Sequence, residues 1–193
     1  FKVKKFVNTD TILKKNISDY TLSKYQFKEW FKKFSKDMYC CNIKIEHFFG
    51  PGDDTSKFVI SFISKILNKK FPVHLTKGTQ KRDFIFIDDV VRAIALIIKH
   101  SEKKNLGLEH FEIGTGKSIT IKNFVKLTAR LCNIDSNKFI KFGTLKFRKN
   151  EPMDVKININ KLKKIGWKPK CNLKSSLKKT INYYRDENFF KAL

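Results

Sequence analysis

Tyr20 stands four residues before Lys24 in the stretch Tyr20-Thr21-Leu22-Ser23-Lys24. On a helix this spacing puts a phenol and an ammonium on one face. There the cation favours the phenolate and makes the hydroxyl a usable acid and base. With five tyrosines in a chain this rich in lysine, one such pair is expected by chance, so its setting has to give it meaning. That setting is favourable. Lys4-Lys5-Phe6-Val7-Asn8 reads as a short buried strand over residues 3–8 that delivers Thr9 and Asp10 to its carboxyl end, where open α/β sheets hold their ligands.

The elements that must position these groups follow from periodicity. After a loop from Thr9 to Asp19, a helix is predicted from Tyr20 to about Lys36. Phe27, Trp30, Phe31 and Phe34 form an apolar stripe on it that packs on the sheet. Asn42–Phe49 reads as the next strand, closed by the turn residues Gly50-Pro51-Gly52-Asp53. Ser56–Lys69 reads as a helix with a broad buried face, Val73–Leu75 as a short extended piece and Asp83–Ile87 as a strand. Asp88 and Asp89 then open a helix running to Lys99, where the macrodipole favours carboxylates. Further on come a strand at His110–Ile113, a helix at Ile121–Cys132, a strand at Lys138–Phe142 and a polar loop at Arg148–Asp154. A short helix at Asn160–Ile165 closed by Gly166 and a last helix from Leu173 to about Phe190 complete the chain.

Gly114-Thr115-Gly116-Lys117-Ser118 contains the Gly-Lys-Ser core of a phosphate-binding loop. That loop needs a further glycine five residues before Gly116, and Phe111 occupies the position, so the reading is rejected.

A formal charge of +24 raises nucleic acid and anionic membrane surfaces as partners. Arginine occurs only at Arg82, Arg92, Arg130, Arg148 and Arg185, and the lysines are spread through every segment. Nucleic-acid surfaces concentrate arginine and lysine on one face, so the pattern argues against that partner and points to compositional bias. Cys40, Cys41, Cys132 and Cys171 form no C-x-x-C pair and no cluster with histidine, which indicates neither a metal site nor a disulfide framework and fits a reducing cytoplasm. No apolar run reaches the length of a membrane span.

Four motifs in order give a more specific indication. Asn8-Thr9-Asp10-Thr11 with Tyr20-x-x-x-Lys24, then Glu46-His47-Phe48-Phe49-Gly50-Pro51-Gly52-Asp53, then Arg82-Asp83-Phe84-Ile85-Phe86-Ile87-Asp88-Asp89-Val90, then Phe111-Glu112-Ile113-Gly114-Thr115-Gly116, resemble the extended short-chain dehydrogenase/reductases. These are the NAD-dependent epimerases, dehydratases and ketoreductases of nucleotide sugars. The resemblance runs through essentially the whole chain. It implies an α/β fold: the second half of a doubly wound Rossmann-type parallel sheet, followed by a smaller mixed α/β substrate-binding lobe. Residues 1–50 are expected to be the end of a dinucleotide-binding domain and 51–193 the substrate lobe, with some elements returning to the main sheet. It also implies about a hundred residues of dinucleotide-binding sheet ahead of Phe1.

Residue by residue, the resemblance implies that Tyr20 is the acid/base and that Lys24 assists it and holds the nicotinamide ribose of NAD or NADP. Thr9 would hydrogen-bond the reacting oxygen. Asp10 and Thr11 face the substrate. The family's 4,6-dehydratases carry a glutamate where Thr11 stands, and a hydroxyl cannot take a carbon-bound proton as a carboxylate does, which argues against dehydration. His47, Lys57 and Phe58 match positions near the nucleotide sugar, and Arg82 and Arg148 match those that clamp its diphosphate, a task suited to the guanidinium fork. Under the resemblance the expected activity is 4-ketoreduction in deoxysugar or surface-polysaccharide synthesis, with a UDP-hexose 4-epimerase as alternative. A lysine-rich nucleic-acid-binding module or an inactive remnant is the alternative of another class. The expected partners are a nucleotide-diphosphate sugar and, through the aromatic face of the Tyr20 helix, a second copy of the chain.

Overall fold

A computed structural model describes residues 3–186. In chain order the elements are β1 (Lys5–Thr11), α1 (Asp19–Phe34), β2 (Tyr39–Ile45), β3 (Phe48–Phe49), α2 (Phe58–Leu67), β4 (Val73–Leu75), β5 (Lys81–Arg82) and β6 (Ile85–Phe86). They continue with α3 (Ile87–Glu102), β7 (Gly107–Ile113), β8 (Ile119–Thr120), α4 (Ile121–Leu131), α5 (Ser136–Phe139), β9 (Ile140–Phe142), α6 (Asn160–Lys164) and α7 (Leu173–Asp186). The fold is α/β with parallel strands. Its elements fall into two compact units. One takes in the chain up to His47, Asp88–Lys117 and Ile157–Lys170; the other takes Phe48–Ile87, Ser118–Lys156 and the chain from Cys171.

The first unit is built on a parallel sheet of order β1-β2-β7. β2 is the middle strand, and Tyr39, Cys40, Cys41, Asn42 and Ile43 are all buried, as a strand covered on both faces requires. The pairing of β1 with β2 runs unbroken from Lys5 opposite Tyr39 to Thr11 opposite Ile45. Thr9 and Asp10 therefore lie inside the strand and not in the loop expected there. β2 likewise begins at Tyr39 instead of Asn42, because this ladder holds its first residues. α1 starts with a capping box: Ser18 Oγ accepts from the Thr21 N–H at 3.3 Å, and Thr21 Oγ1 accepts from the Ser18 N–H at 3.0 Å.

The aromatic stripe of α1 does not pack on the sheet as a whole. Phe31 is buried against Phe6, with ring centroids 5.4 Å apart, while Phe27, Trp30 and Phe34 stay exposed. α6 ends as expected at Gly166, whose φ of 90° is the left-handed conformation that closes a helix.

The second unit has its own apolar core, in which Phe49, Ile60, Ile63, Phe86, Phe124, Leu177, Ile181 and Tyr184 are buried. Phe84 and Phe124 stack with centroids 3.9 Å apart. Its strands are short. The strand expected at Asp83–Ile87 shrinks to β6, since its only ladder partner among the described residues is the two-residue β3. Lys138 and Phe139, expected in a strand, belong to α5, where Asp135 Oδ1 caps the Asn137 N–H at 2.8 Å. Gly50 is required by space: a Cβ there would meet Ile87 Cγ2 at 2.5 Å. Gly114–Ser118 leads into β8 and not directly into a helix, unlike a phosphate-binding loop. The expected end of α7 beyond Asp186 lies outside the described residues. Among the described residues no helix is long and apolar enough to cross a membrane.

Candidate active site

In the first unit the fold brings Thr9, Tyr20 and Lys24 together at the carboxyl end of β1. Lys24 Nζ donates to the Thr9 carbonyl at 2.9 Å and lies 5.8 Å from the Tyr20 ring centroid. The capping box fixes where α1 begins, so Tyr20 enters on its first turn with its ring open to solvent. Lys24, one turn later, reaches back to the strand. Thr9 is exposed. The result is a phenol and a hydroxyl with an ammonium held between two elements. Such a set can exchange a proton with an oxygen and stabilise the charge left behind.

The neighbouring polar groups are tied into the sheet. Asp10 Oδ1 accepts from the Thr11 N–H and Oδ2 from Asn42 Nδ2, both at 2.7 Å. Thr11 Oγ1 accepts from the Leu13 N–H at 3.2 Å and so turns the chain out of the strand. His47 follows β2 with its Nδ1 against the Glu46 carboxylate. His110 lies opposite Asn42 in β7, and its Nδ1 is buried without a hydrogen-bond partner among the described residues. Burial, reinforced by Lys28, Lys44 and Lys161, holds its pKa below the ordinary histidine value. A groove of about 440 Å³ beside β7 and α6 is lined by His110, Glu112, Asn158, Asn160, Lys161 and Lys164, none of them expected from sequence.

In the second unit Arg82 binds the loop that contains Arg148. Arg82 is 4% exposed; its Nη1 donates to the carbonyls of Lys81 at 2.7 Å and Pro152 at 2.6 Å, and its Nη2 pairs with Glu151. Its fork is thus engaged in fastening β5 to the segment that contains Arg148, with the Lys81 N–H donating to the Met153 carbonyl at 2.8 Å beside it. Arg148 is exposed, and its guanidinium makes no hydrogen bond or ion pair among the described residues. Lys57 Nζ binds Asp53 Oδ1 at 2.7 Å and lies 4.2 Å from the Phe48 ring centroid. Phe58 turns its ring to Phe62 and Phe124 and packs against the core.

Sequence reasoning missed Asn42 and Glu151. The only signal for Asn42 is a polar residue within an otherwise apolar run, Tyr39-Cys40-Cys41-Asn42-Ile43. For Glu151 it is a carboxylate in a loop of cations.

Residues 4–114 match the model of the NAD dependent epimerase/dehydratase family, more than half of the chain. The chain belongs to this family. CDP-abequose synthase of Salmonella typhimurium is 31% identical over 184 residues, which cover 91% of this chain and 61% of that protein. UDP-glucose 4-epimerase of Thermotoga maritima, solved with UDP-glucose, is 26% identical with a TM-score of 0.80, covering 95% of this chain and 64% of the other. A dTDP-glucose 4,6-dehydratase from Streptomyces venezuelae, solved with NAD, shares the fold with a TM-score of 0.85 at 17% identity, over 97% of this chain and 62% of the other. The chain therefore spans less than two thirds of the length of these relatives. Within the epimerase/dehydratase match lie Thr9, Tyr20, Lys24, His47, Lys57, Phe58 and Arg82; Arg148 follows it.

Proposed function

We propose that the protein is an NAD(P)-dependent nucleotide-sugar enzyme that reduces a keto group at C4 of the sugar. The observation that carries this reading is the cluster of Thr9, Lys24 and Tyr20, with the ammonium 2.9 Å from the strand-end carbonyl and beside the phenol ring. These residues fit the nicotinamide end of the cofactor, because an ammonium fixed next to an open hydroxyl suits ribose hydroxyls. When bound, the cofactor supplies the hydride. Tyr20 delivers the proton to the C4 oxygen, Thr9 donates a hydrogen bond to the same oxygen, and Lys24 holds positive charge beside the phenolate that results.

Reduction is favoured over elimination of water because Thr11 offers a hydroxyl where elimination needs a carboxylate base, and that hydroxyl oxygen is engaged in a turn. The similarity to CDP-abequose synthase supports a deoxysugar product and a role in surface-polysaccharide synthesis. In this reading Arg148 meets the diphosphate and Arg82 holds the loop that presents it. Asp10, His47, Lys57 and Phe58 lie near the nucleotide sugar. The exposed Phe27, Trp30 and Phe34 of α1 face a second copy in a homodimer, in a reducing cytoplasm. UDP-hexose 4-epimerisation is the second reading, favoured by the likeness to the Thermotoga enzyme.

The full-length enzyme, given a 4-keto nucleotide sugar with NADH or NADPH, should consume one reduced nicotinamide for each sugar reduced. Interconversion of UDP-hexoses without net consumption would favour epimerisation, and no turnover of either substrate would overturn both.

A further inference from the structure

Asn42 is fully buried in the middle strand of the sheet. Its flanking residues Cys41 and Ile43 are apolar, and packing alone would be served by another apolar side chain. A buried amide is costly unless its donors and acceptors are met. Here both ends are used: Asn42 Nδ2 donates to Asp10 Oδ2 at 2.7 Å, and Asn42 Oδ1 accepts from Asn8 Nδ2 at 2.8 Å. Asn8 and Asp10 flank Thr9. One buried amide therefore grips β1 on both sides of the residue whose carbonyl holds Lys24 at 2.9 Å. The chain leaves the sheet two residues after Thr9, so these side-chain bonds act close to the end of the main-chain ladder.

We propose that Asn42 is a positioning residue, which clamps Asn8 and Asp10 so that Thr9, and through its carbonyl Lys24, is held in register with Tyr20. The proposal rests on the reading of Thr9, Lys24 and Tyr20 given above. Asn42 itself touches no reacting group. Its effect is to set the place of the hydroxyl and the ammonium, where a displacement of about 1 Å can cost on the order of a hundredfold in rate.

The test uses the full-length enzyme. Asn42→Leu removes both bonds at similar volume and should lower kcat about 10- to 100-fold, with KM for the nucleotide sugar changed less than about twofold. Asn8→Ala, which trims one arm of the clamp at a half-buried position, should lower kcat several-fold with KM unchanged and settles the question if Asn42→Leu does not fold.

Unchanged kcat in a folded Asn42→Leu or Asn8→Ala overturns the proposal. Tyr20→Phe run in parallel separates the two readings. If it still turns over, the assignment of the catalytic group fails; if it is inactive while Asn42→Leu keeps its kcat, only the clamp fails.

Discussion

Tyr20, on the first turn of α1, is 57% exposed, whereas Arg82, at the end of β5, is 4% exposed. Both were singled out from sequence as functional, and the two units that carry them treat them in opposite ways. The first unit holds its candidate groups through backbone: a capping box sets the start of α1 and a strand carbonyl holds Lys24, and the phenol and the Thr9 hydroxyl take no hydrogen-bond partner among the described residues. The second unit spends the Arg82 fork on a carboxylate and two carbonyls, which makes it a strut. A group that must meet a ligand is best positioned by contacts to its scaffold. A buried guanidinium whose donors are engaged contributes mechanically.

The contrast can be broken most directly at Tyr20. Tyr20→Phe in the full-length enzyme should lower turnover by about 10²- to 10⁴-fold while leaving nucleotide-sugar binding nearly intact, as read by steady-state rates and calorimetric titration. Undiminished turnover would mean the exposed phenol is only a helix-start tyrosine.

Arg82→Met should act on stability first. Removing one partner of a mostly buried pair leaves Glu151 uncompensated and should cost about 3 kcal/mol, measured by denaturant unfolding. The double variant with Glu151→Leu should recover most of that loss. A large rise in KM at unchanged stability would show that Arg82 works on ligand instead.

Arg148→Ala should do what Arg82→Met does not: raise KM about tenfold at nearly constant kcat, because a diphosphate contact persists in ground and transition states alike. A pure kcat loss would remove Arg148 from that role.

The smallest expected effect is a pH dependence of the first unit. Burial, with Lys28, Lys44 and Lys161 around it and Asp10 opposing, lowers the pKa of His110 from 6.5, so its neutral form is the one the fold accepts. That contribution is present above pH 6.5 and is lost as pH falls through the lowered value. Glu109 adds a second step. Burial alone would raise its pKa, but the Tyr39 hydroxyl, Lys161 and His100 outweigh it, so its contribution is lost on acidification below 4.5. Melting temperature followed from neutral to acid pH should fall in two stages, and His110→Leu should flatten the upper one alone. A first stage that survives His110→Leu would assign it elsewhere.

Much of this was legible in the chain. The Tyr20–Lys24 spacing is a local property of a helix, whereas Thr9, expected just past a strand, lies within β1 because the ladder with β2 runs on to Thr11. The helices at Ile87–Glu102, Ile121–Leu131 and Asn160–Lys164 fall close to where apolar periodicity and the closing glycine place them. Partners distant in sequence were not legible. Lys24 finds its acceptor fifteen residues back, Asn42 grips a strand more than thirty residues away, and Arg82 meets a carboxylate 69 residues on.

The sequence by itself determined which residues could do chemistry, because residue type and helical or strand period are read within one segment. Only the tertiary structure decided which of them are free to do it. Strand register, loop return and burial depend on contacts between segments, and these set the partners of Asp10, Asn42 and Arg82 while leaving Tyr20 open.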